Sequence, residues 1–207
     1  MNDDLFFSLI RVSIGSAESL AYTPSEKEWQ MLFEHSKKQA LIGICFNGVQ
    51  QVYKKHPEQT VNLSTELRIQ WLGITASIQK RNEVMNEYTR KVLHFFRERD
   101  FPCQVLKGQG IASLYKSLIE FRQSGDIDVW LTGGRKKIYA LSREVLNNIT
   151  GANYHHIHFP IYKEVEIEAH IYPSFLSSPF RNRRLHHFFE LFQPSEGCTD
   201  NPSLAFN

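Results

Sequence analysis

The chain has 207 residues, with 42% hydrophobic and 13% aromatic content, enough for one domain with a real core or a small domain plus an extension. Its 24 basic side chains nearly balance 22 acidic ones, giving a formal charge of +2 with no long basic run, which argues against an extended nucleic-acid footprint. Cys45, Cys103 and Cys198 are an odd number without metal-type spacing, the pattern of free thiols in a reducing compartment.

The amino terminus, Met1-Asn2-Asp3-Asp4, is acidic, and the apolar run behind it is short and broken by Arg11, unlike a signal peptide. No apolar stretch is long enough to span a membrane, so a soluble cytoplasmic protein is expected. Asp3 or Asp4 caps a first short helix carrying Leu5, Phe6, Leu9 and Ile10, which ends near Gly15. Thr23-Pro24-Ser25-Glu26 starts a second, with Thr23 as cap, Pro24 in the first helical position and Glu26 completing a capping box. Trp29, Leu32, Phe33 and Ser36 follow at helical spacing. A third, mostly apolar helix covers 41–53, with Gly43 and Gly48 as close-packing points, and His56-Pro57 closes it. Asn62 or Ser64 opens a long helix reaching about Arg99, striped by Leu67, Trp71, Ile74, Ile78, Met85, Tyr88, Val92 and Phe96. Its other face, with Lys80, Arg81, Glu83, Glu87, Arg90 and Lys91, is solvated.

The character changes at Asp100-Phe101-Pro102. A short strand over 103–106 leads into a turn at Gly108-Gln109-Gly110, and a short helix holds Ile111, Ala112, Leu114 and Tyr115. A second strand covers 126–131 and breaks at Thr132-Gly133-Gly134. An amphipathic helix over 136–149 turns Ile138, Leu141, Val145 and Leu146 inward. Residues 153–160 and 163–172 form a β-hairpin, and an aromatic, basic helix runs from about 181 to 192. Residues 201–207 end without a finishing element, as a truncated chain would. The fold class is therefore α+β: a helical region over 1–99, a small mixed β-sheet core with flanking helices on one side over 100–175, and a helical extension over 176–207.

Chemistry concentrates in the core. On a strand, Asp126 and Asp128 share one face, while Ile127, Val129 and Leu131 share the other. Glu164, Glu166, Glu168 and His170 likewise oppose Val165, Ile167, Ala169 and Ile171. If the strands are neighbours, the acids gather on one side of the sheet. Three carboxylates from two strands can hold two Mg²⁺ ions about 4 Å apart, the spacing that clamps an in-line displacement. Side chains two apart on a strand stand roughly 7 Å apart, so only one of the glutamates can complete the site. Lys107 binds a phosphate or only covers the turn. Arg122 steadies the acidic pair, Ser124 lies in the loop before it, and His170 hydrogen-bonds the acids. His155, His156 and His158 have no Cys or further acid at ligand spacing, so a surface or hairpin role is expected. Arg181, Arg183, Arg184, His186 and His187 form a solvated helix face.

Gly108-Gln109, a helix, Asp126-Ile127-Asp128 and a later strand acid resemble the DNA polymerase beta-type nucleotidyltransferase superfamily. Leu106-Lys107-Gly108, Tyr115, Arg122, Gly125-Asp126-Ile127-Asp128 and Glu168-Ala169-His170 resemble a bacterial family of uncharacterised nucleotidyltransferases, over roughly 101–174. The resemblance implies that Glu168 is the third carboxylate and that Asp126, Asp128 and Glu168 hold Mg²⁺ or Mn²⁺. It implies nucleotide contacts from Lys107, Gly108, Gln109, Gly110, Arg122 and Ser124. It also implies attack on the α-phosphate of a nucleoside triphosphate by an acceptor hydroxyl, from a small molecule, a protein or an RNA end, with loss of pyrophosphate. Gln109 stands where the superfamily has Ser, and the gap from Gly108 to Asp126 is longer than in minimal members. Two other classes stay open: a non-catalytic binding module on the same fold, and an Asp-x-Asp nucleotide-sugar transferase, against which the long helical opening counts.

Overall fold

The computed structural model describes residues 3–146, 151–203 and 206, and its architecture is α+β. Residues up to Glu83, together with Tyr115–Gln123, form one unit; Val84–Leu114 and the residues from Ser124 onward form another.

The first unit is helical: α1 (Asp3–Ser13), α2 (Glu26–Lys38), α3 (Ile42–Lys55) and the first turns of α4 (Thr65–Arg97). Its core joins Leu5 and Leu9 of α1 to Trp29 and Phe33 of α2, Phe46 of α3 and Trp71 of α4. The expected stripe Trp29, Leu32, Phe33 and Ser36 is the buried face of α2. Both expected glycine contacts in α3 are present. A Cβ on Gly48 would sit 2.6 Å from the Leu9 carbonyl oxygen, and one on Gly43 2.4 Å from that of Phe121. The start of α2 corrects the sequence reading: Ser25, not Thr23, is the cap, and Glu28, not Glu26, closes the capping box. Ser25 N donates to Glu28 Oε2 at 2.8 Å, while Tyr22 Oη donates to Glu28 Oε1 at 2.6 Å. Pro24 then lies ahead of the cap, where its missing N–H costs no helix bond.

The second unit is built on a four-stranded mixed sheet. Its strands are β1 (Cys103–Val105), β2 (Ile127–Leu131), β3 (His156–His158) and β4 (Ile167–His170), in spatial order β1-β2-β4-β3. β2 and β4 are parallel, and the two outer pairs are antiparallel. The expected hairpin is the β3–β4 pair, with shorter strands. One face of the sheet, including Val105, Ile127, Val129, Ile167 and Ala169, packs with Val92 and Phe96 of α4 and with Ile138 and Leu141 of α6 (Gly134–Val145). The expected continuation of α6 to residue 149 lies outside the described residues beyond Leu146.

Three further expectations are corrected. The glycines 108 and 110 lie inside α5 (Lys107–Ala112) instead of forming a turn. The bend is made by Lys107 itself, with φ at +42°, and Leu114 and Tyr115 fall in the 3-10 segment after α5. β2 is buried along its whole length instead of alternating. On its second face Asp128 meets His170 and Lys107, and Trp130 meets Phe189 of α7 (Pro179–Glu190) with ring centroids 6.0 Å apart, so helices do not lie on one face alone. At the outer side of β1, Val105 N donates to Asp200 O at 2.8 Å, and Gln104 Nε2 donates to the carbonyls of Thr199 and Asn201, both at 3.1 Å.

Candidate active site

Strand register assembles the site. Parallel pairing sets Asp128 opposite Glu168 and Trp130 opposite His170, and β3 adds His158 opposite Glu168 and His156 opposite His170. Two rows of side chains thus cross three strands. Glu168, not Glu166, stands beside Asp128, and Glu166 is exposed. Asp126 sits half-buried one residue before β2.

Asp128 is only 5% exposed, and burial alone would push its pKa up. The hydrogen bond and charge of His170, then those of Lys107, outweigh that and hold it below the ordinary carboxylate value. His170 Nε2 lies 2.6 Å from Asp128 Oδ1, and Lys107 Nζ donates to the same oxygen at 3.0 Å. His170 is fully buried. Around Glu168, His156 Nδ1 and His170 Nε2 stand 3.1 and 3.3 Å from Oε2, and His158 Nε2 stands 3.6 Å from Oε1. Potential ligand atoms gather within 4.8 Å in three groups: Asp128, Glu168 and His170; His156, His158 and Glu168; His155, His156 and His170. Asp126 is in none of these groups. Of the surface or hairpin role expected for His156, the structure shows the hairpin: it lies on β3, with its side chain 12% exposed and facing Glu168. Burial, then the neighbouring histidines, lowers the pKa of both His155 and His156.

Gln109 is fully engaged with the protein: its Nε2 donates to Asn86 Oδ1 at 2.7 Å, and its Oε1 accepts from Ser124 Oγ at 3.0 Å. It thereby ties α5 to α4 and to the loop before β2. Gly110 serves packing, because a Cβ there would lie 2.3 Å from the Val105 carbonyl oxygen. Arg122 belongs to the helical unit, where its carbonyl accepts from Asn82 Nδ2 at 2.7 Å. Beyond Asp128 and His170 on the same strand faces, Trp130 and Tyr172 open a cavity of ≈ 750 Å³ that Thr132, Tyr154, Arg183 and His186 also line. Tyr172 and His186 stack face to face with centroids 3.8 Å apart, so His186 is part of a wall and not of a solvated face.

The pKa directions set a pH dependence of stability. His155 and His156 have folded pKa values below 6.5, so the unfolded chain takes up more protons, and stability falls as pH drops below that value. Asp128 is depressed below 3.8, so its contribution is present above that value and is lost as pH falls through the folded one. Thermal melts from about pH 8 to 3 are expected to show the histidine loss and the onset of the Asp128 loss; Asp128→Asn is expected to flatten the more acidic one and, by removing a charge that raises the His156 pKa, to deepen the other.

Among the described residues, no helix is long and apolar enough to cross a membrane. A family model described as an uncharacterised nucleotidyltransferase matches residues 25–198. No curated protein and no solved structure matches the chain.

Proposed function

The chain belongs to this family of uncharacterised nucleotidyltransferases, and from that premise we propose that it moves a nucleoside monophosphate from a nucleoside triphosphate to an acceptor hydroxyl, releasing pyrophosphate. The observation that carries the reading is the pair of Asp128, buried, and Glu168, half-buried, side by side on parallel strands. The donor set fits a divalent cation. Both hydrogen bonds to Asp128 fall on Oδ1, and the two closest histidine nitrogens face Glu168 Oε2. Asp128 and Glu168 would hold the cation, with Asp126 at the head of β2 as the third carboxylate. When bound, Mg²⁺ or Mn²⁺ neutralises charge on the phosphoryl oxygens.

The chain's own residues do the positioning. Lys107, with its side chain 57% exposed, is anchored at Asp128 and reaches a phosphate oxygen by rotating its long stem. Gly108 gives the phosphates close approach to the backbone beside it. Gln109 and Ser124 hold that backbone in place, and Gly110 seats α5 on β1. Arg122 has no assigned step. The aromatic cavity beyond Trp130 and Tyr172 is where we place the acceptor. Its size and its mix of flat rings with Arg183 suit a small molecule better than a protein or an RNA end.

A second reading, a binding module without catalysis, is favoured by one observation. Both polar atoms of the Gln109 side chain, at the superfamily's Ser position, are already bound to protein. Calorimetric titration with non-hydrolysable ATP, CTP, GTP and UTP analogues, with and without Mg²⁺, separates the two. The transferase reading expects metal-dependent binding, weakened about tenfold or more by Asp126→Asn. No binding of any triphosphate in the presence of Mg²⁺ would remove catalysis and leave the module.

A further inference from the structure

We infer that Asn153 selects the tautomer of His156, and that this choice keeps His156 an N–H donor toward Glu168, as His170 is toward Asp128, and reserves the cluster for an oxygen-liganded cation. Asn153 Oδ1 accepts from the backbone N–H groups of His155 and His156, both at 3.1 Å. Backbone N–H groups only donate, so the atom they face is the amide oxygen and not the nitrogen. The other end of the amide, Nδ2, is then the donor, and it lies 2.7 Å from His156 Nε2. Nε2 must accept, so the single proton of the neutral ring sits on Nδ1. That nitrogen faces the Glu168 carboxylate, an acceptor, with Oε2 at 3.1 Å, and His155 Nε2 lies 3.2 Å from it.

A ring nitrogen that carries a proton cannot ligate a metal. His170 is committed in the same way, because its Nε2 donates to Asp128 Oδ1 at 2.6 Å. Each of the three groups of converging ligand atoms contains His156 or His170. What looks by distance like a histidine-rich zinc centre is therefore a set of carboxylates held by imidazole donors. Carboxylate oxygens suit Mg²⁺ or Mn²⁺, whereas imidazole nitrogens suit Zn²⁺ and its neighbours. Metal-binding histidines ordinarily donate from their other nitrogen to a carboxylate or carbonyl. Here that nitrogen meets an amide N–H₂, the opposite polarity.

One substitution reverses the arrangement. Asn153→Asp keeps an oxygen for the two backbone N–H groups and places a second oxygen at His156 Nε2. With Nε2–H donating to that oxygen, Nδ1 can release its proton and give its lone pair to a cation held by Glu168 and His158, a two-nitrogen, one-carboxylate set. The choice of cation class rests on the transferase reading above; the tautomer does not.

Long-range ¹⁵N–¹H correlation spectra of the wild type at about pH 8, where the ring is neutral, test the tautomer directly. They are expected to show His156 protonated on Nδ1. Titration with Co²⁺ alone, followed by its visible absorption, tests the consequence without nucleotide. Asn153→Asp is expected to bind Co²⁺ about tenfold or more tighter than the wild type. A wild-type ring protonated on Nε2, or an equal Co²⁺ response from the two proteins, overturns the inference. Loss of triphosphate binding in both proteins, with these two results intact, would count against the transferase reading alone.

Discussion

Asp128→Asn is expected to lower nucleotidyl transfer on the order of a thousandfold while the protein stays folded. The substitution keeps the shape of the side chain and an oxygen to accept from His170 Nε2, so the fully buried imidazole is not left without a partner. What disappears is the negative charge. Lys107 loses its charged anchor and bonds only a neutral amide, and a divalent cation loses one of its carboxylates. Weakening a charge-assisted hydrogen bond costs roughly 1–3 kcal/mol of stability, too little to unfold an ordinary domain. Circular dichroism and thermal melts separate lost chemistry from lost fold. Wild-type turnover in a folded Asp128→Asn protein would take Asp128 out of the reaction.

The largest structural effect is expected at Gly110. An added Cβ would meet Val105 O at 2.3 Å and Val105 C at 3.0 Å. Both are backbone atoms of β1, which is paired to β2 on one side and bonded to Asp200 on the other. No flexible side chain is available to give way, so either α5 or β1 must shift. Gly110→Ala is therefore expected to destabilise by about 3 kcal/mol or more, lowering Tm by roughly 6–12 °C. Gly73, exposed on α4 with open space around it, is the control. Gly73→Ala is expected to stabilise by roughly 0.5–1 kcal/mol, through helix propensity and a less flexible unfolded chain. If the two alanines behaved alike, close packing of α5 on β1 would not be the reason for the glycine.

Much of the fold was legible because its signals are local. The stripe from Trp29 to Ser36 repeats at helical spacing, and Val165, Ile167, Ala169 and Ile171 alternate with acids as a half-buried strand does. The start of α2 misled because two capping boxes overlap there: Thr23 precedes Glu26 by three residues, and Ser25 precedes Glu28 by three. Tyr22, which bonds Glu28, decides between them, and that bond depends on three-dimensional position. The bend before α5 misled in the opposite way. Glycines nearby suggested the turn, but a lysine adopts the left-handed conformation. Burial of β2 on its second face could not be read either, since Phe189 covers Trp130 from nearly 60 residues away. The histidines of β3 share a strand face, as their spacing says, but the acid they stand beside is on β4. Only the register of the two strands brings Glu168 to them.

The bonds between β1 and residues 199–201 have a consequence for how molecules meet one another. β1 is an edge strand, and an edge whose N–H and C=O groups stand open is a template on which a strand from another molecule can add. Here the same chain takes Val105 N–H, through Asp200 O, and holds the Gln104 side chain beside it. The β1 edge is thereby guarded at Val105, and the β3 side offers only a three-residue strand. Removing residues 199–201 would turn a guarded edge into a nucleus for polymerisation, even with every residue of the catalytic cluster in place.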